Sequence, residues 1–320
     1  MPYANGASSL LTRSATAFNA FNQLLLPALR VGNLAIRHDA QVLGLEWSRE
    51  ERRVVALRVR DQGTGRTERL ACRAVVLAAG ALGSAQILLE SKNAEFPAGL
   101  GNQHGVVGRY LHDHPLAKLI VKLARPVSIY PASYITRPAL ERAEPLYAAA
   151  FMQWCGTPAL LRSALRGRPG RSSSLGFSVF GTMAPSRDDF VELAPGVGRG
   201  GRSRVRVHLR HPTLARETLE RAREELLEVL ARAGWAPKVE LWKLEAPGNS
   251  VHYGGTCRMH ASPALGVVDA YSRVHGVRNV VVADSAVFTT GPEKNPVLTA
   301  MALAARAADK LARELQHGEH

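Results

Sequence analysis

Three stretches of the chain hold residue types that could do chemistry. Ser250–Met259 reads SVHYGGTCRM. An imidazole titrates nearest to neutral pH, so His252 could take up or release a proton. Gly254 and Gly255 follow it and would let the backbone approach a large ligand closely. A lone histidine in such a stretch has a structural reading beside the catalytic one. Val280–Pro296 reads VVVADSAVFTTGPEKNP. Its apolar strand ends in Asp284-Ser285, which places polar groups at a strand's carboxyl end, where α/β sheets bind ligands. Asn295 stands before Pro296 and a helical pattern, so it could be an N-cap and nothing more. His112-Asp113-His114 could converge on one metal ion. No third or fourth ligand is evident nearby, so a structural or hydrogen-bonding role is expected and no metal site.

Other chemistries lack local support. Gly196-Val197-Gly198-Arg199-Gly200-Gly201 matches the letters GxGxxG. Dinucleotide binding needs an apolar strand before it and a helix N-terminus after it. Here Pro195 precedes and a basic strand follows, so a flexible turn is expected. There is no nucleophile elbow and no Walker sequence. Cys72, Cys155 and Cys257 are widely spaced and form no disulfide framework, which makes a reducing cytoplasm the default compartment.

The chain has 320 residues, a formal charge of +14 and a pI near 10.3. Hydrophobic residues make up 46%, ordinary globular usage, which argues against wholesale disorder. The positive excess is mostly scattered arginine. Arg162, Arg166, Arg168 and Arg171 form one cluster; Arg199, Arg202, Arg204 and Arg206 form another. Neither is interleaved with aromatics. Solvated surface arginine is the favoured reading, and a nucleic-acid-binding protein is a remote alternative. No apolar run reaches the ~18 residues needed to span a bilayer. Met1–Arg13 lacks the order of a secretory signal.

The elements that must position these residues can be read from periodicity. Residues 13–30 read as a helix. Strands are expected at Val42–Trp47, Val54–Arg60 and Thr67–Cys72, with Gly63-Thr64-Gly65 turning the last pair. Ala74–Ala79 is a short continuous apolar run, as in a strand buried on both faces. A helix over Ala81–Glu90 follows at once, which makes half of a βαβ unit. The middle carries strands at Leu116–Leu123, Ala148–Met152, Leu175–Met183, Phe190–Leu193 and Arg204–Leu209, with a mobile basic loop at 160–174. A helix at 213–233 repeats Leu219, Ala222, Leu226, Val229, Leu230 and Ala233 on one face. Val280–Ala283 is another buried strand, a final helix runs over Val297–Glu314, and His317–His320 is expected to fray. The inferred fold class is mixed α/β. A partial Rossmann-like domain from 1–116 and 250–320 holds an inserted antiparallel-sheet-plus-helix domain at 117–249.

Read together, HYGGTCRM, GVVDAYSRVHGVRNVVVADSAVF and GPEKNPVLTAMALAARAADKL resemble the C-terminal signature of the glucose-methanol-choline (GMC) family of flavin oxidoreductases. NLAIRHDAQVLGLEW, AVVLAAGALGSAQILLESK and GVVGRYLHDHP resemble upstream family stretches in the same order. The resemblance implies an FAD-dependent enzyme that oxidises a CH–OH group of a small-molecule alcohol. It implies His252 as catalytic base and Asn295 as the second polar catalytic residue, both facing one cavity. It implies that Asp284, Ser285, Asn295 and Pro296 line the flavin. Val42 would touch its adenine side, and Ala79, Gly80 and Ala81 would give the cofactor room.

The family also carries a GxGxxG βαβ unit, with an acidic residue beyond it, and neither occurs in this sequence. The expectation is a C-terminal portion, short of roughly the first two fifths of a typical member. The chain would then be one part of the complete enzyme, a subunit completed by a separate N-terminal FAD-binding chain, or a non-catalytic remnant. Apolar edges at 75–79 and 280–283 would lack neighbours.

Overall fold

The computed structural model describes residues 20–129, 134–136, 149–154 and 170–318. The fold is mixed α/β, as the sequence implies. In chain order the elements are α1 (Leu26–Val31), β1 (Ala40–Ser48), β2 (Arg53–Asp61), β3 (Thr67–Ala71), β4 (Val75–Leu77) and α2 (Gly80–Glu90). Then come β5 (Leu116–Ile129), β6 (Tyr134–Thr136), β7 (Ala149–Trp154), β8 (Gly170–Gly181), β9 (Phe190–Val197) and β10 (Ser203–His208). Last are α3 (Thr213–Arg232), β11 (Lys238–Leu244), β12 (Val280–Val282) and α4 (Val297–Gln316).

The chain divides into two units. One is Met1–Arg37, Pro115–Thr182 and Pro212–Ala246; the other is His38–His114, Met183–His211 and Pro247–His320. The expected middle domain at 117–249 is therefore interrupted. β9 and β10 belong with His38–His114 and Pro247–His320, because β10 is fastened to α2. Arg202 pairs with Glu90 at 2.9 Å, and the Ser203 N–H donates to the same carboxylate at 2.7 Å.

In the first unit, an antiparallel sheet runs in the order β11-β5-β8-β7-β6. Alternate residues of β5 and β8 (Leu119 and Val121, Phe177 and Val179) face one side, as a two-residue pleat requires. Leu219, Ala222, Leu226 and Leu230 of α3 cover them. Val229 and Ala233, expected on this face, are exposed instead. β8 begins at Gly170, so 170–174 is strand, where a loop was expected. The rest of that loop, residues 13–19 of the expected first helix, Ala148, Cys155, Arg162, Arg166, Arg168, Glu319 and His320 lie outside the described residues.

In the second unit, β1, β2 and β3 form an antiparallel sheet in that order. β9 and β10 form an antiparallel pair, and the GVGRGG stretch turns between them. Gly200 there has φ +76°, and a Cβ on it would overlap the Gln41 side chain. β4 and β12 pair in parallel, Val75 beside Val280 and Leu77 beside Val282. The 272–274 segment lies on the other edge of β12, where the Val282 N–H donates to Ser272 O at 2.9 Å. Val280–Val282 is thus fully buried and flanked on both sides, contrary to the expected bare edge. β4 has no second strand neighbour among the described residues, and Val76 is 50% exposed. Buried Asn279 joins the layers: its Oδ1 accepts from Val54 N–H at 2.9 Å, and its Nδ2 donates to Val54 O at 2.7 Å and Arg73 O at 2.9 Å.

Candidate active site

The parallel register brings the carboxyl ends of β4 and β12 side by side. After β4 the chain turns at Ala79-Gly80 into α2; after β12 it reaches Asp284-Ser285. Gly80 has φ +75°, a conformation that glycine adopts without a Cβ penalty. Asp284 ties the two ends together. One carboxylate oxygen accepts from the Gly80 N–H at 3.0 Å and from the Ser84 hydroxyl at 2.5 Å; the other accepts from the Ala286 N–H at 2.8 Å. Negative charge at the N-terminus of α2 also suits the helix dipole. Burial raises the Asp284 pKa, and these hydrogen bonds oppose that rise. The Ser285 hydroxyl donates to Tyr253 O at 2.6 Å and so attaches the 250–256 segment.

That segment rests on 110–114. His112 and Gly254 exchange backbone hydrogen bonds of 3.1 and 3.0 Å, an antiparallel bridge. The His112 ring is buried beneath it. A Cβ at Gly254 would lie 2.6 Å from His112 Nε2, and one at Gly255 would lie 2.2 Å from Tyr110 O. The two glycines therefore permit close approach within the protein, where a ligand was expected to need it. His112 Nδ1 lies 3.1 Å from Tyr110 O, so this nitrogen carries the proton and donates. Burial pulls the His112 pKa down to about 4. Asp113 holds the next stretch: its carboxylate accepts from the His252 N–H at 2.8 Å, the Ser250 N–H at 3.2 Å and the Ser250 hydroxyl. His114 meets the His252 ring edge to face, with centroids 4.9 Å apart. Among the described residues no group of His, Cys, Asp or Glu is placed to hold a metal. All three residues of HDH support the His252 segment.

His252 lines a hollow of about 370 Å³ together with Tyr253, Asp284, Ser285, Pro296 and Met301. Desolvation lowers its pKa below the ordinary imidazole value, and the Asp113 charge opposes this. Ala283, Val297, Ala300 and Ala304 give the hollow apolar walls. Asn295 does not share it. That side chain is exposed and lines a neighbouring hollow of about 290 Å³; Pro296 belongs to both. Nor is Asn295 the N-cap of α4: Pro296 holds that position, and its carbonyl accepts from Ala300 N–H. Asn295 lies just outside α4, whose first turns border both hollows: Val297, Ala300 and Met301 line that of His252, and Thr299 and Leu303 line that of Asn295.

Among the remaining expected residues, Gly80, Asp284 and Ser285 meet at the strand ends, with Ala79 exposed beside them. Ala81 is buried, and its carbonyl accepts from the Thr256 hydroxyl, so it supports the core. Val42 lies half-buried in β1, paired with Val59. Ser84 and Thr256 were not singled out for a site, and Asp113 was weighed only within HDH, as a metal ligand or a structural residue. Asp113 had a visible signal, since it sits in the HDH stretch, but its partners lie 137 and 139 residues away.

Two family models described as GMC oxidoreductase match residues 4–116 and 190–304. The chain is 29% identical over 304 residues to 6'''-hydroxyparomomycin C oxidase of Streptomyces lividus, covering 91% of this chain and 54% of that protein. It is 29% identical over 316 residues to C-glycoside 3-oxidase of Arthrobacter globiformis, covering 95% and 55%. The chain thus spans about half the length of these curated relatives. Among solved structures, pyridoxine 4-oxidase from Mesorbium loti matches with a TM-score of 0.66 at 20% identity, over 94% of this chain and 62% of that one. An FAD-dependent oxidoreductase from Chaetomium thermophilum matches with a TM-score of 0.66 at 17% identity, over 96% and 66%. The front and the rear of the sequence both match one family, and the fold agrees: the chain belongs to the GMC oxidoreductase family.

Proposed function

We propose that this chain serves in an FAD-dependent oxidoreductase that oxidises a CH–OH group of a small-molecule alcohol. The observation that carries the reading is His252 in a hollow at the joined carboxyl ends of β4 and β12, with Asp284 and Ser285 beside it. The residues present fit a flat ring. Ala283, Val297, Ala300 and Met301 offer apolar surface, and Ser285 and His252 offer polar edges. A volume near 370 Å³ falls within the range of small-molecule sites. When bound, FAD supplies the acceptor for the two electrons that leave the carbinol carbon as hydride.

The chain's own part is proton chemistry and position. The lowered pKa keeps the His252 imidazole neutral at pH 7, able to accept the hydroxyl proton as the C=O bond forms. Asp284 holds the N-terminus of α2 against the end of β12, where Ala283, Asp284 and Ser285 line the hollow. Asn295 enters as a second polar group on the family resemblance and on the shared Pro296 wall. The adenine-side role of Val42 and the room at Ala79-Gly80 rest on the resemblance. A further strand-bearing segment, in this protein or in a separate chain, would complete the sheet beside β4; the half-exposed Val76 supports this. A cytoplasmic setting belongs to the same reading, supported by the free thiols of Cys72 and Cys257. The relatives named as oxidases support the reaction class.

The test is anaerobic mixing of the flavin-loaded complete enzyme, this chain together with the segment that completes its sheet, with a panel of sugars, polyols and aliphatic alcohols. At least one is expected to bleach the visible flavin band. If dithionite bleaches the band and no alcohol does, the reading is wrong.

A further inference from the structure

The backbone between the two residues that Asp113 grips is unusual. Val251 has φ +54°, in the left-handed region. A β-branched residue there is an outlier, because its branched Cβ crowds the backbone. Such strain persists only where surrounding contacts over-determine it. Val251 is itself 70% exposed, so packing of its side chain does not hold it. The restraint comes from its neighbours. Ser250 on one side gives its N–H and hydroxyl to the Asp113 carboxylate; His252 on the other gives its N–H to the same group. Asp113 in turn is 1% exposed and sits between His112, bridged to Gly254, and His114, packed on the His252 ring. The carboxylate thus closes a small ring of chain around one strained residue. The direction of the His252 side chain into the hollow depends on that residue's φ.

We propose that Asp113 is a positioning residue for His252: it clamps Ser250 and His252 on either side of Val251, holds Val251 left-handed, and so aims the imidazole into the 370 Å³ hollow. Its effect on chemistry rests on the proposed role of His252; the clamp itself does not.

The clamp predicts a specific rescue. Asp113→Ala removes all three acceptor contacts, and Val251 should relax to an ordinary φ. Asparagine tolerates the left-handed region better than valine, so Val251→Asn in the Asp113→Ala background should restore the turn without restoring the charge. Two readouts are needed. The first is backbone ¹³C chemical shifts at position 251, which report φ without any activity. They should leave left-handed values in Asp113→Ala and return in the double variant. The second is alcohol-driven flavin reduction in the loaded enzyme. It should fall about 10²-fold in Asp113→Ala, the scale of a displaced catalytic group, and recover at least tenfold in the double variant. Asp113→Asn keeps one acceptor oxygen and the side-chain shape. It should show a smaller loss, and it decides the matter if Asp113→Ala does not fold.

Unchanged shifts at Val251 in the folded Asp113 variants would overturn the clamp. Altered shifts with reduction that Val251→Asn fails to restore would overturn its positioning role. His252→Ala is the control: if reduction survives that change, the role of His252 fails, while the shifts still judge the clamp.

Discussion

His112, Asp113 and His114 are three consecutive side chains with three different tasks. The first fills the space beneath two glycines, the second fixes a strained turn, and the third packs on the ring of His252. Their alternation was visible in the sequence. The tasks were not visible, because each partner lies far along the chain. The glycines illustrate the same limit: the sequence shows that a close approach occurs at Gly254-Gly255, but not what approaches. His112 has a measurable consequence. Its pKa is about 4 when folded, against an ordinary value of 6.5. Below pH 6.5 the unfolded chain takes up a proton that the folded chain refuses until about pH 4. The stabilising effect is therefore complete above pH 6.5 and lost as pH falls to about 4, by up to about 3 kcal/mol. Urea unfolding at pH 7 and pH 4.5 should show this slope, and His112→Gln should flatten it. An equal slope in the variant would contradict the burial of a neutral ring.

At the scale of elements, amphipathic and uniformly apolar patterns carried most of the information. α2, α3 and α4 lie within a few residues of their expected spans, because their apolar spacing is local. β4 and β12 were visible as short apolar runs for the same reason. The assignment of β9 and β10 to a unit was not visible, since it depends on Glu90 reaching Arg202 and Ser203. Asn279 is a further case: a polar residue just before a buried strand resembles a loop residue in the sequence. In the fold it makes three hydrogen bonds, two of them buried, that join β2 to the residues leading into β4. Asn279→Ala leaves the Val54 amide and two carbonyls without those partners. It should cost about 3 kcal/mol in denaturant unfolding, with little change in the denaturant slope. A loss under 0.5 kcal/mol would mean that water or a neighbour replaces the amide.

For the whole molecule, family membership and the mixed α/β class follow from motifs in a fixed order, which a sequence displays directly. The pairing of His252 with Asn295 in one cavity does not follow, because it turns on the geometry of a single proline-led helix start. β4 lacks a strand on its outer edge among the described residues, and the GVGRGG stretch turns between two strands, not from a strand into a helix N-terminus of the kind that seats a pyrophosphate. The 320-residue chain purified by itself should therefore lose FAD on gel filtration. A yellow product with close to one equivalent of flavin would contradict this.

The most direct test of the central claim is the rate at which alcohol reduces bound flavin in the loaded enzyme, compared between the native sequence and His252→Ala. Loss of the proton acceptor should slow that step by about 10²-fold or more, with flavin binding retained. An unchanged rate would show that the imidazole at the end of the joined strands takes no part in the reaction.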